Sequence, residues 1–209
     1  MFMNVAIIGS GNMANGIGTR LVSGNHNLVI YDRDLQKAAT LAKKLGAVVK
    51  SKSLGDEIDE EVVILALPYN ATLEVVEKDG NLFKGKVVVD ISNPLDFETF
   101  KLIPKPGTSG AQEIAKLIPD SKVLKAFNTT FAGTLVKGEV DGKKLDVFIA
   151  GDNEDAKKTL TEIIESSGLR AFDIGPLESA YVLEELGRLH ISLQNKLGNT
   201  WMTAVKILP

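Results

Sequence analysis

The 209-residue chain has no cysteine, two histidines and one tryptophan. Without cysteine there can be no disulfides, thiol catalysis, Cys-ligated zinc or Cys-ligated iron–sulfur cluster. His26 and His190 are too few for a His-rich metal site, so no metal site is expected. No excess of positive charge is present: 24 Lys and Arg stand against 27 Asp and Glu, a net charge of −3. That removes the overall basic footprint of a nucleic-acid or membrane-surface binder. The opening apolar run, Val5 to Ile8, falls far short of the roughly 18 residues that a membrane-spanning helix needs. The start MFMNVAIIGSGNM has neither a basic leading segment nor a small-residue cleavage site. The expectation is a soluble, cytoplasmic protein with no nucleic-acid or membrane partner.

What is there is an ordinary globular composition, 44% hydrophobic and 24% charged, enough for a sizeable core. Short apolar runs alternate with segments of helical period. Val5–Ile8, Leu28–Tyr31, Val62–Leu67, Lys86–Ile91, Val123–Phe127, Val147–Ala150 and Arg170–Ile174 read as strands, and Ala47–Val49 as a short third one. Asn12–Ser23, Leu35–Leu45, Ala71–Glu77, Gln112–Leu117 and Asn153–Ser167 read as helices. Ser179–Val205 carries Leu183, Leu186, Leu189, Leu193 and Leu197 at helical spacing, with Gly187 and Gly198 as candidate breaks. Asp96–Gly110 and Lys137–Lys144 read as loops. Such alternation predicts an α/β, doubly wound, mainly parallel Rossmann sheet ending in a long C-terminal helix. We expect one extended domain over 1–209: a dinucleotide-binding core over 1–130 and a small α/β extension over 145–209.

Gly9-Ser10-Gly11-Asn12-Met13-Ala14 is a G-x-G-x-x-A string between the first strand and the first helix. Gly9 permits the tight turn, Gly11 lets the backbone approach a pyrophosphate, and Ala14 is small enough for helix and strand to pack. The free N–H groups and positive end of the helix then receive phosphates without a basic side chain. Asp32 follows Gly11 by 21 residues, at the end of the second strand, where a carboxylate hydrogen-bonds a ribose 2′-hydroxyl. The neighbouring Arg33 suits a 2′-phosphate instead, so the residues leave NAD and NADP both open.

Ligands of open α/β sheets bind beyond the carboxyl ends of the strands. Leu67-Pro68-Tyr69, Ser92-Asn93-Pro94-Leu95 and Phe127-Asn128-Thr129-Thr130 all fall at that edge. Each is also an ordinary turn or helix-cap sequence taken alone. An acid–base pair is missing. Tyr31, Tyr69 and Tyr181 are followed four positions later by Leu35, Leu73 and Glu185, so there is no Tyr-x-x-x-Lys proton relay. His190 is either a packed helical histidine or a general acid, and His26 reads as a loop residue. Glu184, Glu185 and Arg188 read as the solvated face of the last helix. No catalytic residue is assigned.

The strings VAIIGSGNMANGIGTRL, ILALPY, VVVDISNPL, KAFNTT and FIAGDNEDAKKTLTEIIESSGLRAFDIGPLESAYVLEEL run through nearly the whole chain. In them the chain resembles the coenzyme F420-dependent NADP oxidoreductases, the deazaflavin-linked reductases. The resemblance implies Ser10, Asn12 and Met13 at the diphosphate, Arg33 at a 2′-phosphate, Pro68 by the nicotinamide ribose, and Asn93 and Asn128 at the cleft. Gly9, Gly11, Asp32, Leu67 and Pro94 complete the expected cofactor-binding set. Family members usually show a Ser-Arg or Arg-rich turn after the second strand; here Asp32 precedes Arg33. The implied activity is hydride transfer between the nicotinamide of NADP and a flat deazaflavin- or flavin-like co-substrate. Orientation supplies most of that acceleration and the cofactors carry the chemistry, which suits a cleft without an acid–base pair. Two alternatives stand beside it. One is a small carbonyl or imine reductase of the pyrroline-carboxylate reductase or β-hydroxyacid dehydrogenase type. The other is a regulatory protein that binds dinucleotide without turnover. The apolar stripe of the last helix is consistent with core packing and equally with a homodimer seam.

Overall fold

The computed structural model describes residues 2–208. In chain order its strands are β1 (Asn4–Ile8), β2 (Asn27–Asp32), β3 (Lys50–Ser53), β4 (Val62–Leu65), β5 (Val87–Asp90), β6 (Leu95–Asp96), β7 (Lys101–Leu102), β8 (Lys122–Lys125), β9 (Glu139–Val140), β10 (Lys143–Lys144), β11 (Asp146–Gly151) and β12 (Arg170–Asp173). Its helices are α1 (Asn12–Ser23), α2 (Leu35–Leu45), α3 (Tyr69–Asp79), α4 (Gly110–Leu117), α5 (Ala132–Lys137), α6 (Glu154–Ser166) and α7 (Ala180–Gln194). One sheet of eight strands has the order β12-β11-β8-β5-β4-β1-β2-β3. From β3 to β8 neighbours are parallel, in the doubly wound order whose switch point lies beside β1. β11 joins β8 antiparallel and β12 pairs with β11 in parallel, so the last two strands reverse direction.

Side chains alternate between the two faces of the sheet, and both faces are covered, which is why the inner strands read as unbroken apolar runs. Val5, Ile7, Val62, Ile64, Val87 and Val89 pack under α1, α2, α5 and α6. Ala6, Ile8, Val63, Leu65 and Val88 face the other way, under α3, α4 and the start of α7. A fully buried side chain of this size contributes roughly 1.5–3 kcal/mol, so this two-sided core holds the carboxyl edge rigid. Register aligns that edge. Ile8 pairs with Tyr31 and with Leu65, Leu65 with Asp90, and Asp90 with Lys125.

Several sequence expectations are corrected. The third strand is not Ala47–Val49 but the polar Lys50–Ser53. It is an edge strand, and edges favour charged residues; Val48 is exposed. The final helix stops at Gln194 rather than reaching Val205. A 3₁₀ turn (Asn195–Leu197) follows it, and Gly198 then takes the left-handed conformation that reverses the chain. Gly187 does not break the helix. The two loops read from composition contain the short hairpins β6–β7 and β9–β10.

Candidate functional site

Gly9 has φ +106°, and a Cβ there would lie 2.6 Å from the Ala66 carbonyl oxygen, so glycine alone fits between β1 and β4. A Cβ on Gly11 would meet nothing within 4 Å: the backbone there borders open space. Helices α2, α4 and α6 have their first N–H groups capped by Asp34, Ser109 and Asn153. Helix α1 has no side-chain cap and no acid in its first turn. Its leading N–H groups therefore face the opening between Gly11 and Met13 without a protein acceptor.

Two hollows meet at this point. The larger, of about 570 Å³, runs along the ends of β4, β5 and β8 and is lined by Gly11, Asn12, Met13, Leu67, Pro68, Asn93 and Asn128. Its outer wall carries Phe97, Ile103, Phe131 and Trp201. The smaller, of about 430 Å³, lies between α1 and α2 and is lined by Ser10, Gly11, Asn12 and the α2 residues Lys37 and Lys44, among others. Nine of the residues expected from the sequence thus meet at one edge: eight line a hollow, and Asp32 is tied in by the Ser10 Oγ–H, which donates to its Oδ2 at 2.5 Å. Gly9 lies beneath them at the turn. Pro94 and Arg33 line neither hollow. The Pro94 carbonyl accepts the Ile103 N–H and so holds the loop that carries Ile103. Arg33 is exposed and donates from Nη2 to Glu74 Oε2 on α3 at 3.0 Å.

The deep wall of the larger cavity is polar and locked. Asn93 Nδ2 donates to the Asn128 carbonyl at 2.8 Å, and Asn128 Nδ2 donates to Asn93 Oδ1 and to the Leu183 carbonyl on α7. Those bonds fix both amide orientations. Gly187 is required one helical turn beyond Leu183, because a Cβ there would strike Asn93 Oδ1. The Asn128 Oδ1 and the Ser92 Oγ are buried without a partner; buried polar atoms seldom stay so, and here both belong to residues that line the cavity.

Behind this wall lies a buried charge network. The Lys125 ammonium bonds Asp90 Oδ2 at 2.7 Å, Glu184 Oε1 at 2.8 Å and the Ser92 carbonyl at 2.6 Å, with all three side chains wholly buried. Asp90 also accepts the Ser92 N–H, and Glu184 accepts the N–H groups of Gly110 and Ala111 at the start of α4. Burial alone pulls Lys125 down, but the carboxylates of Asp90 and Glu184 outweigh it and leave the ammonium above its ordinary value. Burial pushes the Glu184 carboxyl up, with Lys125 opposing. Glu184 therefore does not belong to a solvated helix face; Glu185 and Arg188 do, and they pair with each other in the open. Lys125 and Asp90 sit at the ends of the apolar runs KVLK and VVVD, and a charge in such a place signals a buried pair. Nothing local in the sequence marked Glu184 or Glu74.

His190 is buried, stacked on Phe131, with Nδ1 on the Thr129 carbonyl at 3.2 Å and Nε2 on Thr203 Oγ1 at 2.8 Å. The carbonyl can only accept, so Nδ1 carries the hydrogen and Nε2 accepts from Thr203. Burial lowers its pKa, so the ring is neutral and ties the segment after Gly198 to α7. His26 lies in the loop between α1 and β2, as expected, and is buried there; it accepts from the Met3 N–H and pairs with Ser166.

Comparison with known proteins gives the family. Residues 4–94 match the family model described as NADP oxidoreductase, coenzyme F420-dependent. An F420-dependent NADP reductase from Methanocaldococcus jannaschii is 32% identical over 93% of each chain. The chain belongs to the F420-dependent NADP oxidoreductase family. A solved structure titled a putative F420-dependent NADP reductase from an Arthrobacter species superposes with TM-score 0.88 at 26% identity, covering 99% of this chain and all of that one. The rat metalloreductase STEAP3 is 31% identical over 87% of this chain, which spans about a third of that longer protein, 36%. Membership makes the protein an oxidoreductase with a Rossmann fold. No helix among the described residues is long and apolar enough to cross a membrane, and no cluster of potential metal ligands occurs among them.

Proposed function

We propose that the protein transfers hydride between NADP(H) and a deazaflavin such as F420, working as one domain. The observation that carries this reading is the cavity at the end of α1. It opens on uncapped helix N–H groups at one end. Its described lining residues include no carboxylate, ammonium, guanidinium or imidazole. The hydroxyl of the cavity residue Tyr69 is engaged as a donor to Glu113, and burial, with that carboxylate, pushes its pKa up. A carbonyl or imine reduction would need a proton donor at the reacting atom. Hydride transfer between two rings needs alignment and dryness.

In this reading the backbone at Ser10, Gly11, Asn12 and Met13 would hold the paired phosphates, on the turn that Gly9 permits. Asp32 and Arg33 meet the adenosine ribose. Leu67 and Pro68 border the nicotinamide ribose, Asn93 and Asn128 form the wall behind the nicotinamide ring, and Pro94 supports the Ile103 loop. The apolar walls of Phe97, Ile103, Phe131 and Trp201 exclude water and offer flat surface to a second ring. When bound, the nicotinamide would supply the hydride and the deazaflavin would accept it together with a proton from solvent, while this chain's residues hold and align the two rings. Leu189, Leu193 and Leu197 remain exposed along and just beyond α7, which supports a homodimer through that stripe, and a cytoplasmic setting suits two diffusible cofactors.

The test is anaerobic mixing of the protein and NADPH with oxidised F420, with free flavin, and with a cyclic imine. The proposal expects fast reduction of the deazaflavin, slower reduction of flavin and no turnover of the imine. Imine reduction with an inert deazaflavin would overturn it.

A further inference from the structure

Arg33 follows β2 and Glu74 lies on the second turn of α3, directly after β4. β2 and β4 flank β1 on either side. Their 3.0 Å ion pair therefore bridges the carboxyl edge above the end of β1, where the adenosine half of a dinucleotide has to lie. Both side chains are about two-thirds exposed, 61% and 65%, so the bridge is free to open. The other charges around it are arranged in the same sense. Asp32 is held by the Ser10 hydroxyl and by the Asp34 N–H, with its carboxylate at the ribose position. Lys37, one turn into α2, has Asp34 at 3.8 Å. Two of the cations near the adenosine position, Arg33 and Lys37, thus already face a carboxylate, Lys44 farther along α2 lines the same hollow, and Asp32 adds a carboxylate with no cation of its own.

We infer that Glu74 sets nucleotide preference: it occupies the Arg33 guanidinium in the free protein, so that a 2′-phosphate must displace a carboxylate before it is paid for its charge, while NADH meets Asp32 with no such competitor. The inference rests on the dinucleotide site proposed above and extends it to NADH as a second accepted donor. Glu74 is a specificity residue that touches neither the nicotinamide nor the acceptor. Its influence is modest, as for any exposed ion pair, whose loss corresponds to about a two- to fivefold change in an equilibrium constant.

The experiment is titration of the whole protein with NADPH, NADH and adenosine 2′,5′-bisphosphate. The proteins are wild type, Glu74→Gln, Arg33→Gln and the double variant, with thermal melts to confirm folding. Glu74→Gln should tighten NADPH and the bisphosphate about two- to fivefold and leave NADH unchanged. Arg33→Gln should weaken NADPH and the bisphosphate more than it weakens NADH. In the double variant the gain from Glu74→Gln should vanish, because there is no guanidinium left to release. The inference is overturned if Glu74→Gln weakens NADPH, which would mean that the carboxylate presents Arg33 to the phosphate. It is equally overturned if NADPH and NADH move together or neither moves. If neither nucleotide binds the wild-type chain at millimolar concentration, the dinucleotide site itself is wrong; if NADPH binds and only the preference fails to respond, the site stands and this inference alone falls.

Discussion

The two ends of the carboxyl edge treat charge in opposite ways. At the β2 end, Arg33 and Glu74 pair in the open. At the β5–β8 end, Asp90, Lys125 and Glu184 pair in complete burial. Exposed pairs are worth little because water screens them and their side chains must be ordered. Buried ones are costly to assemble and more costly to break. The exposed end is thus built to exchange partners, and the buried end to hold its partners still. Lys125 and Asp90 grip Ser92 through its carbonyl and its N–H, and Glu184 ties α7 to α4. On the proposed function, a ring entering the cavity would meet a wall whose position was fixed before it arrived, whereas an adenosine would meet side chains that still have to rearrange.

That contrast can be broken most sharply at Lys125. Lys125→Met leaves two buried carboxylates facing each other and should cost about 3–5 kcal/mol. A thermal melt should show a fall of about 10 °C, taking 2–4 °C per kcal/mol for a chain of this size. Neutralising the whole network, with Asp90→Asn, Lys125→Met and Glu184→Gln together, should recover much of that stability. A mild effect of the single change would mean that the network is not closed to water. Next in size is Gly187→Ala, whose Cβ enters the Asn93–Asn128 pair; overpacking of this kind costs about 1–3 kcal/mol. Turnover with a deazaflavin should fall further than affinity for adenosine 2′,5′-bisphosphate, because only the deep wall is disturbed.

A smaller effect follows from the histidines. Burial lowers the pKa of both His190 and His26 below the ordinary 6.5, so the folded protein keeps them neutral while the unfolded chain protonates them. Stability is then full above pH 6.5 and declines as the pH falls toward the lowered folded values. Denaturant titrations across pH 5–8 should show that slope, and His190→Gln should flatten it. The smallest expected change is the two- to fivefold gain in NADPH affinity on Glu74→Gln.

Much of the sheet was legible in the sequence because buried parallel strands leave unbroken apolar runs, as at Val62–Leu65 and Val87–Asp90. The turn between β1 and α1 was legible because its requirement is local: a glycine at Gly9, where a Cβ would collide with Ala66. The β3 edge was misread because its strand carries Lys and Ser rather than Val. The end of α7 was misread because leucine spacing continues through Leu197 while the backbone turns at Gly198. Glu184 was misplaced on a solvated face, since its polarity carries no record of Lys125, 59 positions earlier. The Arg33–Glu74 bridge was invisible for the same reason: two ordinary surface charges become a feature only when β2 and α3 bring them together.

Central to the account is direct hydride passage between two rings held in one cavity. The measurement that meets it head-on uses NADPH deuterated at C4 in each of the two stereochemical positions, mixed anaerobically with oxidised F420 and followed by mass analysis of the reduced ring. The account predicts that deuterium from one position is carried wholly into the deazaflavin and that from the other stays on the nicotinamide. Deuterium appearing in solvent, or drawn equally from both positions, would contradict it.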